Sequence, residues 1–136
     1  MNIKKETTMA VTEFGRAVRK ARLATDDTLA TMAKGIGKSV AFISAIETGR
    51  SKVPTDYVKL VQKFFRDKGY EFPESLWELA SVDNRSVPID HLDYQQQMMV
   101  AGFANSSFNS EELKRIGDFL TEIKQAKEAS LNDGIK

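Results

Sequence analysis

The one histidine of the chain, His91, stands beside Asp90 and Asp93, a trio that suggests a metal site or an acid–base centre. A zinc site needs a second imidazole or a thiolate, and the chain has neither a second histidine nor any cysteine. The expectation is a solvated histidine in an acidic loop, with no metal and no other cofactor. Glu74, Glu78, Glu111 and Glu112 could serve proton transfer, yet they fall on the surfaces of predicted helices, where first-turn acids already answer the helix dipole. Gly35-Ile36-Gly37-Lys38 is better explained as a turn than as a phosphate loop. With no nucleophile beside a base, the sequence points away from an enzyme. The absence of cysteine also excludes disulfides and fits a reducing cytoplasm.

The basic residues are distributed unevenly. Up to Gly69 there are 14 Lys/Arg against 7 Asp/Glu, a net +7; beyond it there are 6 against 12, a net −6. A basic half joined to an acidic half is expected where only the first half faces phosphates, because Lys and Arg gain affinity by releasing condensed counterions. The same asymmetry is also consistent with two halves that attract each other or are simply solvated.

These groups must be carried by a small scaffold. At 136 residues with 41% hydrophobic and 29% charged positions, the chain has material for one modest core and an appendage. The longest apolar runs fall far short of the roughly 20 residues that cross a bilayer, and the first ten residues lack the apolar centre of a signal peptide. A soluble, cytoplasmic protein without a membrane partner is expected. Those first ten residues, with Lys4 and Lys5, read as a frayed polar start or as a groove-seeking arm.

Helical spacing then runs through most of the chain. Phe14, Ala17, Val18 and Ala21 mark a first helix over 12–25. Thr28 caps a short second helix with Leu29, Met32, Ala33 and Ile36 turned inward; Gly37 turns; Ser39 caps a third helix over 40–48 that Gly49 ends. Pro54 and Thr55 open a fourth, with Tyr57, Leu60, Val61, Phe64 and Phe65 inward, until Gly69. Residues 73–80 suggest a fifth helix, followed by a polar break at 83–86. A sixth is predicted over 94–104, and a seventh, capped by Asn109 or Ser110, over 111–129.

Two short helices joined by a glycine turn, the second exposed on one face, meet the physical requirement for reading a DNA groove. Over residues 14–65 the chain resembles the Cro/C1-type, or Xre-like, helix-turn-helix regulators. The resemblance rests on Phe14-Gly15 leading to Val18-Arg19 and Arg22, on Thr28-Leu29 leading to Met32-Ala33, and on Ile43-Ser44-Ala45-Ile46-Glu47-Thr48-Gly49-Arg50 before Pro54. It implies an all-α fold: a lambda-repressor-like domain of about five helices over 12–82, preceded by an arm over 1–11 and followed by a small helical segment over 83–136. It implies that Ser39, Val40, Ala41, Ser44 and Ala45 face base edges, that Thr28, Lys38, Arg50 and Lys52 meet or flank phosphates, and that Arg22 and Glu47 form a structural ion pair. Relatives commonly carry Gln or another polar residue where this chain has Val40, Ala41 and Ala45. Bidentate readout from those positions is therefore excluded, leaving contacts to thymine methyls, the Ser44 hydroxyl and DNA shape. An inward-packing role for some of these side chains, Val40 above all, is the alternative.

In the C-terminal segment, Leu113, Ile116, Leu120 and Ile123 follow alternating steps of three and four. Met98, Met99, Val100, Ala101, Phe103 and Ala104 cover nearly every side of their helix. Either helices six and seven cover each other, or Met98, Met99, Phe103, Leu113, Ile116, Leu120 and Ile123 meet a second subunit. Two functions follow: a sequence-specific transcriptional regulator, expected to be a repressor, that binds double-stranded DNA as a homodimer; or an antitoxin-type module whose acidic half neutralises a protein partner while DNA binding autoregulates it. Sufficient apolar residues in helices six and seven to pack on themselves favour the first.

Overall fold

A computed structural model describes residues 11–135; Lys4, Lys5 and the rest of the first ten residues lie outside it. The described residues form seven helices and no strand, an all-α architecture. They fall into two compact units that part between Pro88 and Ile89.

The first unit contains five helices, and local signals set most of their ends. α1 (Glu13–Ala24) starts where the Thr12 hydroxyl accepts the Gly15 amide at 3.0 Å. α2 (Leu29–Ile36) starts with a reciprocal pair of bonds between Thr28 and Thr31. Gly37, at φ 73°, ends α2 in the left-handed region that costs glycine least. α3 (Val40–Glu47) is capped by Ser39, whose hydroxyl accepts the Phe42 amide at 3.0 Å. α4 (Thr55–Arg66) follows Pro54.

α5 (Leu76–Asn84) differs from the sequence reading, which placed a helix over 73–80 and a polar break at 83–86. The Ser75 hydroxyl accepts the Glu78 amide, so the helix begins after Pro73. Its far end is extended because Asp83 and Asn84 bond inward to the rest of the domain: Asp83 Oδ2 accepts the Phe14 amide at 2.8 Å, and Asn84 pairs with Val53.

The core takes the apolar stripe of each helix. Phe14, Val18, Met32, Ile43, Ile46, Tyr57, Val61, Phe65 and Leu76 are all almost fully buried. α1 packs on α3 and α5, α2 on α3 and α4, and α4 on α5. One contact is closer than side chains allow: a Cβ on Gly15 would overlap the Glu47 carbonyl oxygen and come within 2.9 Å of its Cα. That approach also lets Thr12 N donate to Glu47 O at 2.9 Å, tying the start of α1 to the end of α3.

The second unit contains α6 (Tyr94–Ala104) and α7 (Ser110–Ile135). Asp93 caps α6, and Asn109 caps α7 through a reciprocal pair of bonds with Glu112. The expectation that these helices cover each other fails. α6 has no buried residue, and every α7 side chain from Ser110 to Asn132 is exposed. The Phe103 and Phe108 rings stack 5.0 Å apart at the bend between the helices, but eleven large apolar side chains from Tyr94 to Leu131 remain 36–75% exposed. The two helices cannot bury surface that faces away from both of them, so composition alone overstated their capacity to close.

Candidate nucleic-acid interface

Three residues, Gly37 to Ser39, separate α2 from α3, and the chain direction turns through 110° between the two helices. The Gly37 and Lys38 amides both donate to Ala33 O, at 3.0 and 3.1 Å, which tightens this turn. Angles of about 90–120° across a turn of three or four residues are those at which one helix projects from a body held by the other. α3 is anchored from one side: Ile43 and Ile46 are buried, and Phe42 meets the Tyr57 ring edge-on at 5.5 Å.

The anchor is reinforced electrostatically. Arg22 donates to Glu47 through both terminal nitrogens, Nη1 to Oε2 at 2.6 Å and Nη2 to Oε1 at 3.1 Å, and Arg19 Nε approaches Oε1 at 3.4 Å. Arg22 and Glu47 are 9% and 1% exposed, so each is the other's replacement for lost water. Tyr57 lies in the same neighbourhood; burial, then the Glu47 charge, push its hydroxyl well above its ordinary range, with Arg22 opposing.

Opposite this anchor, Ser39, Val40 and Ala41 are exposed and Ser44 and Ala45 half-buried. Val40 is 43% exposed. The alternative that Val40 packs inward is therefore not what the structure shows. Ser39 is doubly placed, since its hydroxyl also caps the helix.

The basic groups sit at both ends of α3. Lys38, in the turn, holds its ammonium 5.0 Å above the Phe42 ring. Arg50 and Lys52 are exposed in the loop that follows. That loop folds back on the helix, with the Arg50 and Ser51 amides donating to Ala45 O at 2.8 and 3.1 Å, and Gly49, at φ 79°, makes the reversal possible. At its far end Asn84 Oδ1 accepts the Val53 amide at 2.8 Å and Asn84 Nδ2 donates to the Val53 carbonyl at 3.0 Å. Thr28 is exposed at the start of α2, its hydrogen bonds confined to that helix's first turn.

No family model matches the chain, and neither a curated protein nor a solved structure matches it. Among the described residues no group of three or more His, Asp or Glu side chains is arranged to hold a metal ion, and no single helix is long and apolar enough to cross a membrane. His91 and its acidic neighbours belong to the second unit, with Asp93 used as a helix cap.

Sequence reasoning missed the residues that brace this surface from a distance. Asp83 and Asn84 looked like a polar break, and nothing local in their types tells an inward-facing amide from a solvated one. Asp27 carries no motif that singles it out, yet it accepts from Thr25 and Thr31 and meets Lys68 from beyond α4 at 3.3 Å.

Proposed function

We propose that this chain is a sequence-specific double-stranded DNA-binding regulator with a lambda-repressor-like helix-turn-helix domain. α3 lies in the major groove, and Thr28, Lys38, Arg50 and Lys52 meet the flanking phosphates. The observation that carries the reading is the outer face of α3: Ser39, Val40 and Ala41 exposed and Ser44 and Ala45 half-buried, on a helix that a buried ion pair anchors to α1 from the other side. Such a helix can enter a groove about 12 Å wide without obstruction by its own domain. The charge agrees. The first unit carries 15 Lys/Arg against 11 Asp/Glu, even with Glu71, Glu74, Glu78 and Asp83 counted in it, whereas the second carries 5 against 8.

The regulator acts as a homodimer through α6 and α7. Soluble monomers rarely leave contiguous apolar patches beyond about 300–600 Å², and Met98, Met99, Phe103, Leu113, Ile116, Leu120 and Ile123 are each at least 37% exposed. A second copy would cover this surface and supply the second reading head that a two-fold operator needs, about 34 Å away. Repression follows from occupancy of such an operator.

The same exposed surface favours one other reading, in which α6 and α7 dock a different protein and DNA binding serves autoregulation, as in an antitoxin. Fluorescence anisotropy of the full chain with duplex from its own upstream region against scrambled duplex, over a salt series, tests the primary reading. A preference of about 10³ or more, with a salt slope reporting several displaced counterions, is the expected result. Equal weak binding to both duplexes would discard DNA reading in either form, and sedimentation of the full chain alone separates the two: a dimer for the regulator, a monomer for the partner-docking protein.

A further inference from the structure

α3 has little with which to read bases by hydrogen bonding. Ile43 and Ile46 are buried, Phe42 is held against Tyr57, and the Glu47 carboxylate is taken by Arg22 and Arg19. The Ser39 hydroxyl serves as a cap, and the Thr48 hydroxyl donates to the Ser44 carbonyl at 2.8 Å. What remains is Val40, Ala41, Ser44 and Ala45, at positions i, i+1, i+4 and i+5 of one helix face. From Val40 to Ala45 the face rises about 7.5 Å, the length of about two base steps. Across it lie two alanines, one valine and a single hydroxyl.

We infer that this face recognises pyrimidine C5-methyl groups, in thymine and equally in 5-methylcytosine. The inference rests on the DNA-binding reading above and deepens it. The C5-methyl is the apolar feature of the major-groove floor, where the other groups are donors and acceptors. Val40, β-branched and 43% exposed, is the largest apolar side chain on the face. The alanines and Ser44 are short enough for the helix backbone to approach the bases closely, which brings Val40 into contact with a methyl. Selection comes from the methyl itself: it buries apolar surface against Val40, whereas the same pyrimidine without it offers no such surface, and the polar edges of the base pair are the same in both cases. The preferred operator half-site is thus rich in T·A pairs under α3, and methylation of a cytosine there increases binding.

The test uses the full chain and a pool of random duplexes, from which the preferred sequence is selected. That sequence is then remade with uracil for each thymine in turn, which removes the methyl and leaves base pairing intact, and binding is measured for the wild type and Val40→Ala. Removing a contacted methyl is expected to weaken the wild type about fourfold. Val40→Ala should lose a similar factor on the thymine duplex and nothing more on the uracil duplex. Where a cytosine lies under α3, 5-methylcytosine should raise affinity by a similar factor. A preferred sequence bound equally well with uracil throughout would overturn the methyl reading and leave DNA recognition standing. An equal loss in the wild type and Val40→Ala would trace the effect to DNA shape and remove Val40 as the reader. No preferred sequence at all would overturn the DNA-reading function, and this inference with it.

Discussion

Asn84, at the end of α5, satisfies both backbone polar groups of Val53: its Oδ1 accepts the amide at 2.8 Å and its Nδ2 donates to the carbonyl at 3.0 Å. Val53 closes the loop that carries Arg50 and Lys52, so a residue 31 positions downstream holds the basic edge of the α3 surface. Asn84→Ala leaves a part-buried amide and carbonyl without these partners, at a cost of about 1–3 kcal/mol. A lowered Tm together with weaker duplex binding is expected. Asn84→Asp, which keeps the acceptor and loses the donor, should fall between the two. An unchanged Tm for Asn84→Ala would show that the loop holds itself.

Arg50 is exposed and meets no base in the proposed docking. Arg50→Ala should therefore weaken binding to native and scrambled duplex by the same factor and reduce the salt slope by about one. Anisotropy titrations at several salt concentrations read both quantities, and an unaltered slope would discard this placement of Arg50.

The Arg22–Glu47 pair predicts an asymmetric pattern of stabilities. Glu47→Ala leaves the Arg22 guanidinium buried beside an emptied site and should cost about 3–5 kcal/mol by urea denaturation. Arg22→Met combined with Glu47→Leu removes both charges at once and should recover most of that loss. If the double variant were as unstable as the single one, geometry rather than unpaired charge would be the cause.

Asp27 sets a pH dependence. Burial works to raise its pKa, but hydrogen bonds from Thr25 and Thr31 and the contact with Lys68 outweigh it and hold the carboxyl below its ordinary 3.8. A value depressed in the folded state adds stability that is complete above pH about 4 and lost as the pH falls through the folded value. Asp27→Asn should lower Tm at neutral pH and flatten the fall of Tm on acidification below pH about 4. An acid limb as steep as that of the wild type would assign the sensitivity to other carboxylates.

Ile116 and Leu120 sit in the middle of the exposed α7 stripe. Replacing both with Asp should halve the mass seen by sedimentation and reduce operator affinity, while urea denaturation of the first unit stays unchanged, because no α7 residue belongs to its core. A wild-type chain that sediments as a monomer would remove the homodimer.

What could be read in advance was local. The ends of α1 to α3 are marked by Thr12, Thr28 and Ser39 before each helix and by Gly37 and Gly49 after the second and third, and each signal acts within about one turn of its own residue. The apolar stripe of α4 was readable for the same reason. The start of α5 carries a local signal too, the Ser75 cap, which a start at Pro73 passes over, whereas its end depends on Phe14 and Val53, which lie in other parts of the chain. The bounds of α6 and the start of α7 agree with the spacing and with the Asn109 cap, but α7 runs on to Ile135, beyond the expected end at 129, and the mutual covering of the two helices was not legible, since covering depends on where a face points.

The amino-acid sequence by itself determined the all-α class of the described residues, the order of their helices and the small apolar character of the α3 surface, because spacing, capping and residue type are properties of neighbours. Only the tertiary structure decided how closely Gly15 approaches Glu47, that Arg22 and Arg19 share one carboxylate, that Asn84 holds the loop of Arg50, and that Val40 faces solvent. Each of these joins residues that the chain separates by 25 positions or more, or depends on which side of a helix the core occupies. Packing many helices at once, and no local rule, sets those distances.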